Sequence, residues 1–191
     1  MGSQHAKPVL RKEDIVTLVN TSGLDEDEVK IAFDKFIENH RNGKITPKDL
    51  HKMMSKALPT KDSSNMEKNV FRLYDTNNDG FIDFTEFMTT FHILADGKPE
   101  EVLAKIFRVF DVNDDGSISR KELENIIKDM HGVLKTEDSK TDIIAKAAFQ
   151  EMDTNEDGKV TLDEFIQACM AQEEFSKMLT LLVFSFCCIS D

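Results

Sequence analysis

The apolar residues of this chain recur at helical spacing in short runs, and four polar, glycine-bearing gaps divide those runs into pairs. Leu10, Ile15, Val16, Leu18 and Val19 give a short first helix over 10–19, broken by Thr21, Ser22 and Gly23. Asp25 follows as an N-cap, with Glu28 three residues on completing a capping box. Val29, Ala32, Phe33 and Phe36 then mark one helical face. Further helices are expected over about 48–57 (Leu50, Met53, Met54, with Leu58 just past it), 66–74, 84–94, 100–110, 120–130, 142–152 and 162–171. Gly132 is the expected stop of the 120–130 helix. Pro59 to Asn65 reads as a polar linker, Lys135 to Thr141 as a charged loop, and Ala95 to Pro99 as a hinge holding Gly97 and a helix-starting Pro99.

The polar gaps carry the chemistry. The clearest, Asp111 to Glu122, is DVNDDGSISRKE. Its Asp111, Asn113 and Asp115 supply oxygens at positions 1, 3 and 5, and Gly116 sits at the sharp turn of position 6. Ser117 offers a backbone carbonyl, Ser119 a direct or water-mediated oxygen, and Glu122 a bidentate carboxylate. A hard cation that takes six to eight oxygens, Ca²⁺, matches this donor set, and the spacing is that of the EF-hand loop. The pattern repeats at Asp75, Asn77, Asp79, Phe81, Asp83 and Glu86, and at Asp153, Asn155, Asp157, Lys159, Thr161 and Glu164. Ile82, Ile118 and Val160 hold position 8, where a β-branched residue suits a short strand pairing neighbouring loops.

A fourth copy, Glu38 to Asp49, is damaged. Positions 3 and 5 are His40 and Asn42, Arg41 brings a cation, and position 12 is the shorter Asp49. Too few hard anionic oxygens remain to offset the dehydration of Ca²⁺, so this hand is expected to be silent.

Charge follows from the loops. The 191 residues hold 24 basic and 36 acidic side chains, a net charge of −12. Three Ca²⁺ would add +6 and leave −6, so the acidity speaks for metal sites and against nucleic-acid binding. Mg²⁺ is a candidate resting occupant of some sites. Three cysteines, two of them adjacent, make no disulfide framework and fit a reducing, cytoplasmic setting. His5, His40, His51, His92 and His131 show no zinc spacing, and no nucleophile–base constellation stands out, so no enzyme is expected.

The ends add two motifs. Gly2 after the initiator Met is the acceptor of N-myristoylation, although Ala6 stands where that motif wants Ser or Thr. Phe175 to Ile189 is strongly apolar but short for a bilayer span. It reads as a last helix covering an apolar groove, as a membrane contact with acyl chains on Cys187 or Cys188, or as part of a prenylation box that a terminal Asp191 fits poorly.

Four repeats with a silent first hand, a Met-Gly start and a segment after the fourth hand resemble the neuronal calcium sensor (recoverin-like) family across essentially the whole chain. Departures are His40 and Arg41 in place of the family's Cys-Pro pair, a 42-residue spacing between the third and fourth loops, and Ala6. The fold expected is all-α, four EF-hands in two paired lobes, each pair joined by a two-stranded β-bridge, with N- and C-terminal helices. The halves fall at 1–95 and 96–191.

The resemblance implies a calcium sensor, with or without a myristoyl switch at the membrane, that takes an amphipathic helix of a kinase, cyclase or channel. Its opened groove would draw on Phe33, Phe36, Met53, Met54, Leu58, Phe71, Phe87 and Phe91. A calcineurin-B-like phosphatase subunit, a sarcoplasmic-type calcium buffer and a calcium-triggered photoprotein are the other readings. The absence of Trp counts against the photoprotein.

Overall fold

The computed structural model describes residues 8–57, 64–134 and 141–171. Gly2, Leu58, most of the polar linker, nearly all of the charged loop and the apolar tail from Phe175 lie outside the described residues.

The chain runs α1 (Lys12–Ser22), α2 (Glu26–Asn39), β1 (Lys44–Ile45), α3 (Pro47–Ala57), α4 (Ser64–Tyr74), β2 (Ile82–Asp83) and α5 (Phe84–Asp96). A second series follows: α6 (Pro99–Phe110), β3 (Ser117–Ser119), α7 (Arg120–Leu134), α8 (Thr141–Met152), β4 (Lys159–Thr161) and α9 (Leu162–Ala171). The fold is the expected all-α arrangement of paired hands. Each hand is an entering helix, a loop with a short strand, and an exiting helix.

Several helix ends differ from the sequence reading: α1 starts at Lys12 and not at Leu10, and α4 takes in Ser64 and Asn65 of the expected linker. Thr21 and Ser22 stay in α1, because their hydroxyls donate back to Thr17 O (2.9 Å) and Leu18 O (2.6 Å). Gly23, at φ 68°, then closes α1 by donating to Val19 O. Helix α7 runs through Gly132 to Leu134. An interior glycine costs about 1 kcal/mol, which packing of α7 against α8 can offset. The capping box of α2 forms as its sequence predicts, with Glu28 N to Asp25 and Asp25 N to Glu28 both at 2.8 Å.

Position 8 of each loop lies in a strand. Ile45 pairs with Ile82, and Ile118 with Val160, each in a two-stranded antiparallel sheet. All four side chains are buried. Each β-bridge therefore pins two loops back to back and turns one apolar residue of each into the core.

Phe165 is fully buried in the second lobe, with Phe107 and Phe110 at ring distances of 5.7 and 5.9 Å. The first lobe holds a longer aromatic row. Phe84 meets Phe33 and Phe36, Phe36 meets Phe87, and Phe87 stacks on both Tyr74 and Phe91.

Only Gly97 and Lys98 separate α5 from α6. Helix α4 packs on α6 and α7, and α5 lies beside α6, so the lobes touch through the entering and exiting helices of the two middle hands. Lys105 Nζ on α6 donates to Thr90 Oγ1 on α5 at 3.3 Å, and Asn65 Nδ2 on α4 to Asp129 Oδ1 on α7 at the same distance. Among the described residues, no helix is long and apolar enough to cross a membrane.

Candidate metal centres

Three loops share one backbone form. Position 4 is left-handed at Asn78, Asp114 and Glu156 (φ 57–58°), and position 6 at Gly80, Gly116 and Gly158 (φ 83°). This pair of left-handed residues curls the loop so that its N–H groups point inward. The first carboxylate collects them: Asp75, Asp111 and Asp153 each accept from the N–H of positions 5 and 6, at 2.8–3.1 Å. The amide oxygen of Asn77, Asn113 and Asn155 accepts from the N–H of position 5 at 2.8–3.0 Å.

Positions 9 and 12 form a second unit. Asp83, Ser119 and Thr161 cap the exiting helices, and Glu86, Glu122 and Glu164 return the bond to the cap N–H at 2.8–3.1 Å. The other carboxylate oxygen reaches back into the loop. Glu86 Oε1 accepts from Thr76 N and Asn77 N, and Glu122 Oε1 from Val112 N and Asn113 N, at 3.0–3.3 Å. Thr76 and Thr154 at position 2 add hydroxyl donors to Glu86 and Glu164. The sequence reading passed over those threonines, although Thr recurs at position 2 of two loops.

Electrostatics follow the hydrogen bonds. Backbone and hydroxyl donation from Thr161 pulls Glu164 down to about 2. The Ser117 hydroxyl, and then Asn113, lower Asp115. Asp75, Glu86, Asp111 and Glu164 are buried carboxylates, which is costly unless a cation or donors compensate. Among the described residues no three carboxylate, imidazole or thiol groups stand together as a cage. The oxygens of Asp75, Asp111 and Asp153 accept from the loop's own N–H groups instead. The donor set of each loop is nevertheless all oxygen and rich in carboxylate, and it fits a hard cation.

The first hand differs. Asp49 Oδ2 accepts from Thr46 N at 3.0 Å and Thr46 Oγ1 at 2.6 Å, and Asp49 N donates back to that hydroxyl at 3.2 Å. The capping unit survives. Thr46 also lowers Asp49. Arg41, at position 4, is not left-handed, and burial lowers His40. Pro8 sits against Gly43, so close that an added Cβ would lie 2.9 Å from its ring. Lys44 Nζ lies 4.3 Å from the centre of the Phe81 ring in the neighbouring loop.

One contact joins a loop to the other lobe. Arg72 on α4 donates to Arg108 O (2.6 Å), Val109 O (2.9 Å) and Val112 O (2.9 Å), around the start of the 111–122 loop. Its burial lowers the guanidinium pKa, against the pull of nearby Asp111 and Asp114.

The family model for an EF-hand domain pair matches residues 64–128 and 100–170. Neuronal calcium sensor 1 of Lymnaea stagnalis is 32% identical over 187 residues, covering 95% of this chain and 97% of that protein. Human recoverin is 27% identical over 178 residues, covering 89% of each chain. S-modulin of Aquarana catesbeiana is 28% identical over 179 residues, covering 89% of this chain and 88% of its own. With three loops of one geometry, paired by β-bridges and matched along nearly its whole length, the chain belongs to the neuronal calcium sensor family of calcium-binding EF-hand proteins.

Proposed function

We propose that this protein is a calcium sensor that binds three Ca²⁺, at 75–86, 111–122 and 153–164, and opens an apolar face to a target helix. It works as a binding protein and not as an enzyme. In each site positions 1, 3, 5, 7, 9 and 12 supply the oxygens: Asp75 to Glu86, Asp111 to Glu122 and Asp153 to Glu164. Binding draws Glu86, Glu122 or Glu164 off the loop N–H groups and onto the ion, and the exiting helix follows. The halves divide at the Gly97 joint, 1–95 and 96–191. Mg²⁺ is the candidate resting ion.

The observation that favours a sensor over a buffer is on α5. One helix carries Glu86 in its first turn and the aromatic row Phe84, Phe87 and Phe91, which reaches the surface at Phe91. Any swing of α5 driven by Glu86 moves that row. Phe36, Met54 and Phe71 are buried, while Phe33, Met53 and Phe87 are partly buried, so most of the groove set is core before opening. The partner class that fits is an amphipathic helix from a kinase, cyclase, phosphatase or channel. Acylation of Gly2 would add weak, reversible membrane binding to a cytoplasmic protein.

The test is binding of an apolar-surface dye with and without Ca²⁺, on protein co-expressed with an N-myristoyltransferase and weighed by native mass spectrometry. A calcium-dependent rise in dye signal with three ions bound is expected. Three ions with no rise would make the protein a buffer and end the target-binding reading.

A further inference from the structure

We propose that Arg72, which belongs to the first lobe, is a positioning residue for the 111–122 calcium site of the second. This inference rests on that loop binding Ca²⁺.

A helix leaves its last carbonyls without partners inside the helix. In α6, Asp111 N closes on Phe107 O at 2.9 Å, and the next two carbonyls are those of Arg108 and Val109. Arg72 Nη2 takes both, at 2.6 and 2.9 Å. Its Nη1 takes Val112 O, past the helix end, at 2.9 Å. One planar, half-buried guanidinium thus spans the backbone on both sides of Asp111. Asp111 is buried and offers both oxygens to the loop. The arginine fork fixes the direction in which the chain leaves α6, and so where the first ligand of the loop stands. A positive group at a helix C-terminus is favourable besides.

Two effects of Arg72 oppose each other. As a cation near Asp111, Asp114 and Glu122 it repels Ca²⁺. As a clamp it spares the ion the cost of ordering the loop entry. The fork geometry favours the clamp: Nη1 and Nη2 reach carbonyls on the two sides of Asp111, whereas a lysine ammonium has all its donors on one nitrogen.

Two substitutions separate these effects. Arg72→Lys keeps the charge and loses the fork, whereas Arg72→Gln loses both. The readout is the calcium midpoint of each loop, followed through the amide NMR signals of Gly80, Gly116 and Gly158, with melting of the metal-free protein as a fold check. Positioning predicts that both variants raise the Gly116 midpoint about tenfold, in the range of orienting residues around metal ligands. The Gly80 midpoint should move less than about twofold. Gly158, paired to the same loop through β3 and β4, should follow Gly116 in part. An unchanged Gly116 midpoint with a lowered melting temperature would make Arg72 merely structural and overturn the inference. A tighter site in Arg72→Gln with no change in Arg72→Lys would assign the effect to charge, and also overturn it. If Gly116 does not respond to Ca²⁺ in the unsubstituted protein, the calcium reading of this loop fails first, and that failure is visible before either variant is made.

Discussion

The loops 38–49 and 75–86 are partners in one sheet, yet only one has the form of an ion site. Both keep the unit at positions 9 and 12: Thr46 with Asp49, and Asp83 with Glu86, each a reciprocal cap of the exiting helix. They part at the other end. Glu86 sends its second oxygen to Thr76 N and Asn77 N, whereas both Asp49 bonds use one oxygen and stay on Thr46. Asn78 is left-handed and Arg41 is not. The comparison teaches that position 12 has two duties. Capping serves the fold and persists in all four hands. Reaching back to the loop, with the oxygen that the proposed mechanism hands to the ion, is found in three.

The largest effect should come from removing the second duty. Glu122→Gln keeps a capping acceptor but loses a carboxylate from the ion. Calcium affinity of that loop should fall by about a hundredfold or more, the span between sensor and weak extracellular sites. Native mass spectrometry at micromolar Ca²⁺ should then count two ions, while the helix content stays. Next, Asp49→Glu should leave the count at three, because His40, Arg41 and the backbone at position 4 remain wrong. A fourth ion in that variant would mean that side-chain length alone silences the hand.

Gly43→Ala breaks the comparison from the fold side. Gly43 has φ 74° and an added Cβ would meet Pro8, so the first lobe should lose about 1–2 kcal/mol. A melting temperature lower by about 5 °C would register it.

Acid should act on both kinds of hand with one sign. Glu164, held near 2, and Asp49, also lowered, favour the ionised form when folded. Their contribution is complete above the ordinary carboxylate value of about 4 and is lost as pH falls through the folded one. Metal-free protein should therefore lose melting temperature steadily from about pH 4.5 towards 2. Thr161→Val, which takes away one donor to Glu164, should flatten the curve. Smallest is Lys44→Met. Loss of the ammonium over Phe81 should cost about 0.5 kcal/mol of stability, read by chemical denaturation.

Much of this was legible in the chain. Spacing of carboxylates and glycine placed all the loops, and position 8 foretold the paired strands, because both are local rules of ligand geometry and pleat. Capping at Asp25 was equally readable. Helix ends were less so: the fate of Thr21, Ser22 and Gly132 depends on hydroxyl back-bonds and on packing against α8. The left-handed Glu156 carries no signal in its residue type. Arg72 was invisible for a different reason. Its partners are backbone carbonyls some 36–40 residues away, and a carbonyl has no letter in a sequence.

Cys169 has a practical bearing on how the protein can be watched. It is fully buried in the second lobe, and burial pushes its thiol up to about 12. At neutral pH about one molecule in 10⁵ would carry the reactive thiolate there. The chain has only three cysteines, and the other two are neighbours, Cys187 and Cys188. A thiol-reactive fluorophore added to the native protein should therefore pass over Cys169, so labelling that does occur reads the accessibility of the other two.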